Sequence, residues 1–163
     1  MAIPKDHLIG GNLVREFIDA VQFQPAGVDL TLSKVFRYSS AGRVDFDNRE
    51  RKLSDTEEVE YDEGEYVFLP KGSYKVRYNE VVSVPEDAVA FVYPRSSLLR
   101  CGASIETAVW DPGYEGRGES LLTVQNEHGI YLKKNSRIVQ MVFFRTSGRP
   151  AEKYSGKYMG ENI

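Results

Sequence analysis

After Pro25 the hydrophobic pattern changes period, and this limits the fold more than any other feature of the chain. Val28, Leu30 and Leu32 alternate with Asp29, Thr31 and Ser33, the two-residue repeat of a strand with one buried face. Short apolar or alternating segments follow at 65–70, 74–78, 80–85, 88–93, 104–110, 120–125 and 138–144, with turn signals such as Lys71-Gly72 and Tyr78-Asn79 between them. Many short strands at close spacing predict an all-β sandwich or barrel. Only residues 6–20 read differently. Leu8, Ile9, Leu13, Val14, Phe17 and Ile18 sit at helical spacing, interrupted by Gly10-Gly11. Each glycine costs a helix roughly 1 kcal/mol, so one short helix or two broken turns are expected there. Residues 40–63 read as a long surface loop with room for a short strand or ribbon. Residues 146–163, with Gly148, Pro150, Gly156 and Gly160 but little apolar pattern, read as an extended, mobile tail.

The chain has 163 residues, 41% of them apolar, enough for a single domain spanning 1–163 with a real core. Its net charge of −3 gives no general reason to expect nucleic acid or a membrane surface as partner. Cys101 is the only cysteine and His7 and His128 the only histidines. An intrachain disulfide is impossible, a Cys/His zinc site is excluded, and a reducing, cytoplasmic compartment is the expectation. No apolar run approaches the ~18 residues of a membrane span, and no signal-peptide pattern is visible. The average charge hides a gradient. Residues 43–65 hold four cationic and ten acidic side chains, a net of −6, while residues 131–163 hold seven and two, a net of +5. The acidic stretch reads as a solvated surface; the basic end keeps a polyanion site open.

Five segments carry chemistry. Gln24-Pro-Ala-Gly-Val-Asp-Leu30 places Asp29 within a strand. Pro94-Arg-Ser-Ser-Leu-Leu-Arg100 sets two hydroxyls between two arginines. Forked guanidinium donors and serine O–H groups suit phosphate oxygens, although a serine cap with surface arginines would look the same. In Trp110-Asp-Pro-Gly-Tyr-Glu-Gly116 an acid stands where Pro112-Gly113 forces a turn. An aspartate is ionised at neutral pH and can take a proton from water, so Asp111 is either a general base or a turn former. Arg137-Ile-Val-Gln140 puts a polar residue in an otherwise apolar strand, where it needs a partner. Lys153-Tyr-Ser-Gly-Lys-Tyr-Met-Gly160 offers cations and aromatics on a glycine-spaced tail, suited to closing over a base and its phosphates.

In this order the five segments resemble the motifs of the family that contains trimeric dUTP diphosphatases and dCTP deaminases, over about residues 22–163. The resemblance implies a distorted β-barrel close to a jelly roll, with a short N-terminal helix. It also implies a homotrimer with sites at subunit interfaces, and a tail that closes a neighbour's site. It places the water-orienting base at Asp111 and the deoxyribose on Tyr114. Arg95, Ser96, Ser97 and Gln140 would hold the phosphates. Tyr158 would cover the base, and Lys157, with Lys153, would meet the terminal phosphates. Asp29 would be a supporting residue. Mg²⁺ would ride on the triphosphate, with no metal ligands from the protein.

The two branches differ in one carboxylate. A diphosphatase directs water at the α-phosphorus, giving dUMP and pyrophosphate, largely by alignment and charge neutralisation. A deaminase needs a carboxyl group that shuttles protons at cytosine C4. In the strand after the third motif the deaminase glutamate position falls on Leu121 or Thr123, depending on how Arg117-Gly118 is aligned. Neither transfers protons as a carboxyl does, so the diphosphatase reading is favoured. The Gln-Pro-Ala opening and the Lys-Tyr tail lean toward the deaminase or bifunctional branch, and the sequence leaves open whether Glu106, Glu115 or Glu119 enters the site. A non-catalytic regulator that keeps the fold is the reading from another class.

Overall fold

The alternation after Pro25 becomes thirteen strands, described over residues 1–163 by a computed structural model. In chain order they are β1 (Val14–Arg15), β2 (Phe23–Gln24), β3 (Gly27–Tyr38), β4 (Thr56–Val59), β5 (Tyr66–Leu69), β6 (Gly72–Tyr78), β7 (Val81–Ser83), β8 (Ala88–Pro94), β9 (Ala103–Glu106), β10 (Glu115–Gly116), β11 (Glu119–Val124), β12 (Ile130–Lys133) and β13 (Arg137–Arg145). Helices α1 (Lys5–Gly10) and α2 (Ser96–Arg100) are each short.

The main sheet runs β8-β13-β3-β6-β11-β9, with β2 and β4 also paired to β3; β1-β7-β10 and β12-β5 form smaller sheets. All strand pairs are antiparallel. The two ends of the main sheet approach each other through an isolated bridge between Ala90 on β8 and Trp110 beyond β9. Ala90 N–H donates to Trp110 O at 3.0 Å and Trp110 N–H to Ala90 O at 3.1 Å. The sheet is therefore a nearly closed barrel, which leaves few edges to aggregate. This is the expected all-β, barrel-like fold.

One face of each main strand fills the core. Val28, Leu30 and Leu32 from β3, Tyr74, Val76 and Tyr78 from β6, and Leu122 and Val124 from β11 belong to one buried cluster with Ile138, Met141 and Phe143 from β13. The helical expectation over 6–20 holds for one turn and a half. Gly11 N–H bonds back to His7 O at 2.9 Å, and Asn12 takes a φ of 51° that ends the helix. Val14 then joins a strand, while Phe17 and Ile18 lie largely exposed. Strand β12, with Ile130 and Leu132 buried between exposed Tyr131 and Lys133, adds to the strands expected from the alternation.

One buried acid ties three segments together. Glu80, fully buried, sits between β6 and β7. Its Oε1 accepts from Gln22 Nε2 at 2.7 Å and Thr31 Oγ1 at 2.6 Å, and its Oε2 accepts from Thr31 N–H at 2.9 Å. Gln22 Nε2 also donates to Asp29 O at 2.9 Å. Burial raises the Glu80 pKa, and these donors counter it. Glu80→Ala would orphan three buried donors at once. Unsatisfied buried groups cost roughly 1–3 kcal/mol each, so urea unfolding of this variant should show a loss of about 3 kcal/mol or more, and thermal melting a fall of roughly 10 °C.

Candidate functional site

The chain between β9 and β10 builds one wall of a cavity of about 750 Å³. Pro112-Gly113 makes the predicted turn: Gly113 has a φ of +82°, a conformation open to glycine at little cost. Tyr114 N–H closes the turn on Asp111 O at 3.1 Å, and Gly113 N–H and Tyr114 O are held by Val84. Asp111 is thus exposed at the rim of the cavity, beside buried Trp110 and Tyr114. The two rings meet edge to face at 5.0 Å. Gly118 is required by that packing, because a Cβ there would lie 2.2 Å from the Trp110 ring. Thr107, Ala108 and Val109 also line the cavity. Their peptide groups take part in no backbone hydrogen bond, so donors and acceptors are available to the edge of a flat ligand.

The tail is drawn back onto this hairpin. Tyr154 N–H donates to Pro112 O at 2.8 Å, Gly160 N–H to Glu115 O at 2.8 Å, and Arg117 N–H to Glu161 O at 2.9 Å. Tyr154 packs edge-on against Tyr114 at 5.7 Å. Tyr114 Oη donates to Glu161 Oε1 at 2.8 Å. Burial, reinforced by this contact, pushes the Tyr114 hydroxyl well above the ordinary tyrosine pKa. Burial also raises Glu161, whose bond to Tyr114 and nearby Arg77 and Lys75 pull the other way. Tyr158 lines the cavity, whereas Lys157 does not and lies over the Tyr158 ring at 5.9 Å. Lys153 does not line the cavity of its own chain; its ammonium lies 3.4 Å from Glu86.

The remaining predicted residues cluster elsewhere in the same chain. Arg95 directly precedes α2, and the exposed Ser96 and Ser97 open it. Asp29, almost fully buried, stands between two guanidinium groups: Arg95 Nε at 3.4 Å and Arg137 Nη1 at 3.3 Å from its Oδ2. Burial raises the Asp29 pKa and both arginines lower it. Gln140 is the ladder partner of Asp29 on one side and Tyr93 on the other. Within one chain, then, Asp111, Tyr114 and Tyr158 share a cavity, while Asp29, Arg95, Ser96, Ser97 and Gln140 lie outside it.

Several cavity residues carried no clear sequence signal. Glu161 is among them, as are residues of the acidic segment from Gly42 to Ser54, whereas Trp110 and Tyr154 fall inside two of the five segments without a role assigned there. The unplaced carboxylates separate cleanly. Glu115 is bound by Arg15 at 2.5 Å outside the cavity. Glu119 lines it, held by Lys75 at 3.0 Å and Arg77 at 2.7 Å. Glu106 lines it too, and is the ladder partner of Leu121. Arg117-Gly118, which follows the third motif, is the tail's landing point. Asn162 Nδ2 donates to Arg117 O at 2.9 Å and Arg117 Nε to Asn162 O at 3.1 Å.

Residues 3–146 match the dCTP deaminase-like family. A probable deoxyuridine 5'-triphosphate nucleotidohydrolase of Archaeoglobus fulgidus is 51% identical over 93% of this chain and 89% of its own length. A protein of the same description from Methanosarcina acetivorans is 45% identical over 95% of this chain and 98% of its own. Among solved structures, the 2'-deoxycytidine 5'-triphosphate deaminase of Agrobacterium tumefaciens overlays with a TM-score of 0.67 at 21% identity. That overlay covers 87% of this chain and about half (47%) of the deaminase chain, and it speaks for the fold alone. The order of the motifs, the barrel and these relatives agree: the chain belongs to the dCTP deaminase-like family.

Proposed function

We propose that the protein hydrolyses dUTP to dUMP and pyrophosphate. The observation that carries this reading is Asp111, exposed at the rim of a cavity whose floor is Trp110 and Tyr114 and whose side offers the free peptide groups of Thr107–Val109. Relatives described as dUTP nucleotidohydrolases support it. In this reading the uracil edge meets the 107–109 peptides and the deoxyribose packs on Tyr114. Asp111 takes a proton from a water as its oxygen attacks the α-phosphorus. The bond from that phosphorus to the bridging oxygen breaks, and pyrophosphate leaves.

The phosphate groups need Arg95, Ser96, Ser97 and Gln140, which lie outside the cavity of their own chain. A homotrimer in which a second copy presents them would complete the site, with Asp29 fixing the two guanidinium groups from behind. Tyr158 covers the base, and Lys157 is close enough in sequence to swing toward the terminal phosphates. In this reading Mg²⁺ arrives on the triphosphate and neutralises its charge there.

A second reading has one specific observation in its favour. Where the alignment puts Leu121 at the deaminase glutamate position, Glu106 is directly opposite it on β9, and Glu119 is two residues away on the same face of β11. Opposed residues bring their Cβ atoms within roughly 5 Å, so a carboxylate lies near that position after all. Deamination of dCTP is therefore tested beside hydrolysis.

Incubation with dUTP and Mg²⁺ should release pyrophosphate and dUMP; no release at any enzyme concentration sinks the proposal. With dCTP, ammonia release would establish the second reading. Asp111→Asn should keep nucleotide affinity within about twofold while kcat falls by 10²-fold or more; an unchanged kcat removes Asp111 from the base role. Deleting residues 153–163 should cut activity sharply and lower the melting temperature by roughly 5 °C, because the deletion removes Tyr154 from the Tyr114 ring and Glu161 from the Tyr114 hydroxyl. A tail without structural contacts would leave melting unchanged.

A further inference from the structure

The most acidic stretch of the chain contributes a cation to the cavity. Residues 42–54 form an arm whose two sides meet at Arg43 and Lys52, with Arg43 N–H donating to Lys52 O at 2.7 Å and Lys52 N–H to Arg43 O at 2.9 Å. Both residues line the same cavity as Asp111, as do Val44 and Leu53. The arm's acids are engaged locally. Asp45 Oδ2 accepts from Glu50 N–H at 2.9 Å, Asp47 pairs with Arg49 at 2.9 Å, and the Glu50 carboxylate faces Arg43 at 3.8 Å. Arg43 is turned to Glu50, its Nε donating to Glu50 O at 3.0 Å. Lys52 differs. Its ammonium takes part in no ion pair or hydrogen bond, and its side chain is exposed.

The other lining charges make that free ammonium matter. Glu119 is neutralised by Lys75 and Arg77, which leaves Asp111, Glu106 and the Tyr114-bonded Glu161 as lining carboxylates without an ion-pair partner. A polyphosphate entering between them meets like charge unless a cation is supplied, and Lys75 is already spoken for. Lysine suits such a position because it is a compact point charge on a flexible stem, able to follow a phosphate chain. We propose that Lys52 is a substrate-binding residue whose ammonium meets the phosphates of the nucleoside triphosphate, making the arm the outer wall of the nucleotide site. The inference rests on the nucleotide-hydrolase reading of the cavity and adds to it a binding element outside all five motifs.

The test compares Lys52→Ala and Lys52→Arg with Lys134→Ala, which removes the same charge from an exposed position away from the cavity. For dUTP, Lys52→Ala should raise KM about tenfold, the size of one charge-assisted contact, with kcat within about twofold. Lys52→Arg should restore most of the loss, and Lys134→Ala should change nothing. The loss of affinity should shrink from dUTP to dUMP and vanish for deoxyuridine. Melting temperatures should match the parent, because the ammonium holds nothing in the folded chain. An unchanged KM, or equal effects from Lys52→Ala and Lys134→Ala, would overturn the assignment. Calorimetric titration of inorganic tripolyphosphate into parent and Lys52→Ala gives a readout independent of turnover. Absence of pyrophosphate release by the parent would defeat the dUTP reading, whereas equal tripolyphosphate affinity in the two proteins would defeat the role of Lys52.

Discussion

Two reciprocal hydrogen bonds between Ala90 and Trp110 govern much of this molecule. They bring the last strand of the open sheet back to the first, and they fix the backbone one residue before Asp111. The Trp110 ring, once placed, demands a hydrogen atom in place of a side chain at Gly118 and gives Tyr114 a surface to stand on. The same short segment thus closes the barrel and shapes the cavity. A fold closed at another position would leave Asp111 on an ordinary surface turn.

The barrel was readable because its strands are half-buried, so that position in the pleat dictates polarity. Tyr74, Val76 and Tyr78 point inward while Ser73, Lys75 and Arg77 point outward, and no helix could reconcile that order. The N-terminal segment misled because Leu13 has helical spacing relative to Ile9, and Phe17 and Ile18 have it relative to Leu13 and Val14, whereas Asn12 turns the backbone away. Site residues with a distinctive local context, such as Asp111 before Pro112-Gly113, were legible for the same reason that turns are. Glu161 and Lys52 were not. Each is brought to the cavity by the fold from elsewhere in the chain, and nothing in its immediate neighbours encodes that meeting.

The location of charge also changes meaning in three dimensions. Summed along the chain, residues 43–65 are strongly acidic and residues 131–163 basic. In space, the acids of the arm are occupied with their own turn while Lys52 lines the cavity, and the tail delivers a carboxylate, Glu161, to Tyr114. Each segment therefore presents to the cavity the sign opposite to its average. Linear charge reports solubility and long-range fields; it does not report which member of a mixed segment turns inward.

The strand order has a bearing on how the chain comes to be folded at all. β13, from the far end of the sequence, is inserted between β3 and β8, and it supplies the hydrogen-bonding partner for both. Until residue 145 is available, β3 and β8 each have an unpaired edge, and the apolar rows of Val28, Leu30, Ala90 and Val92 lack their cover. Pairing across such sequence distances is slow, because the loop must close before contacts repay it. On the ribosome β3 and β8 must therefore wait, incompletely paired, for β13 to emerge. That interval, during which bare strand edges can find the wrong partners, is where this protein is most exposed to aggregation.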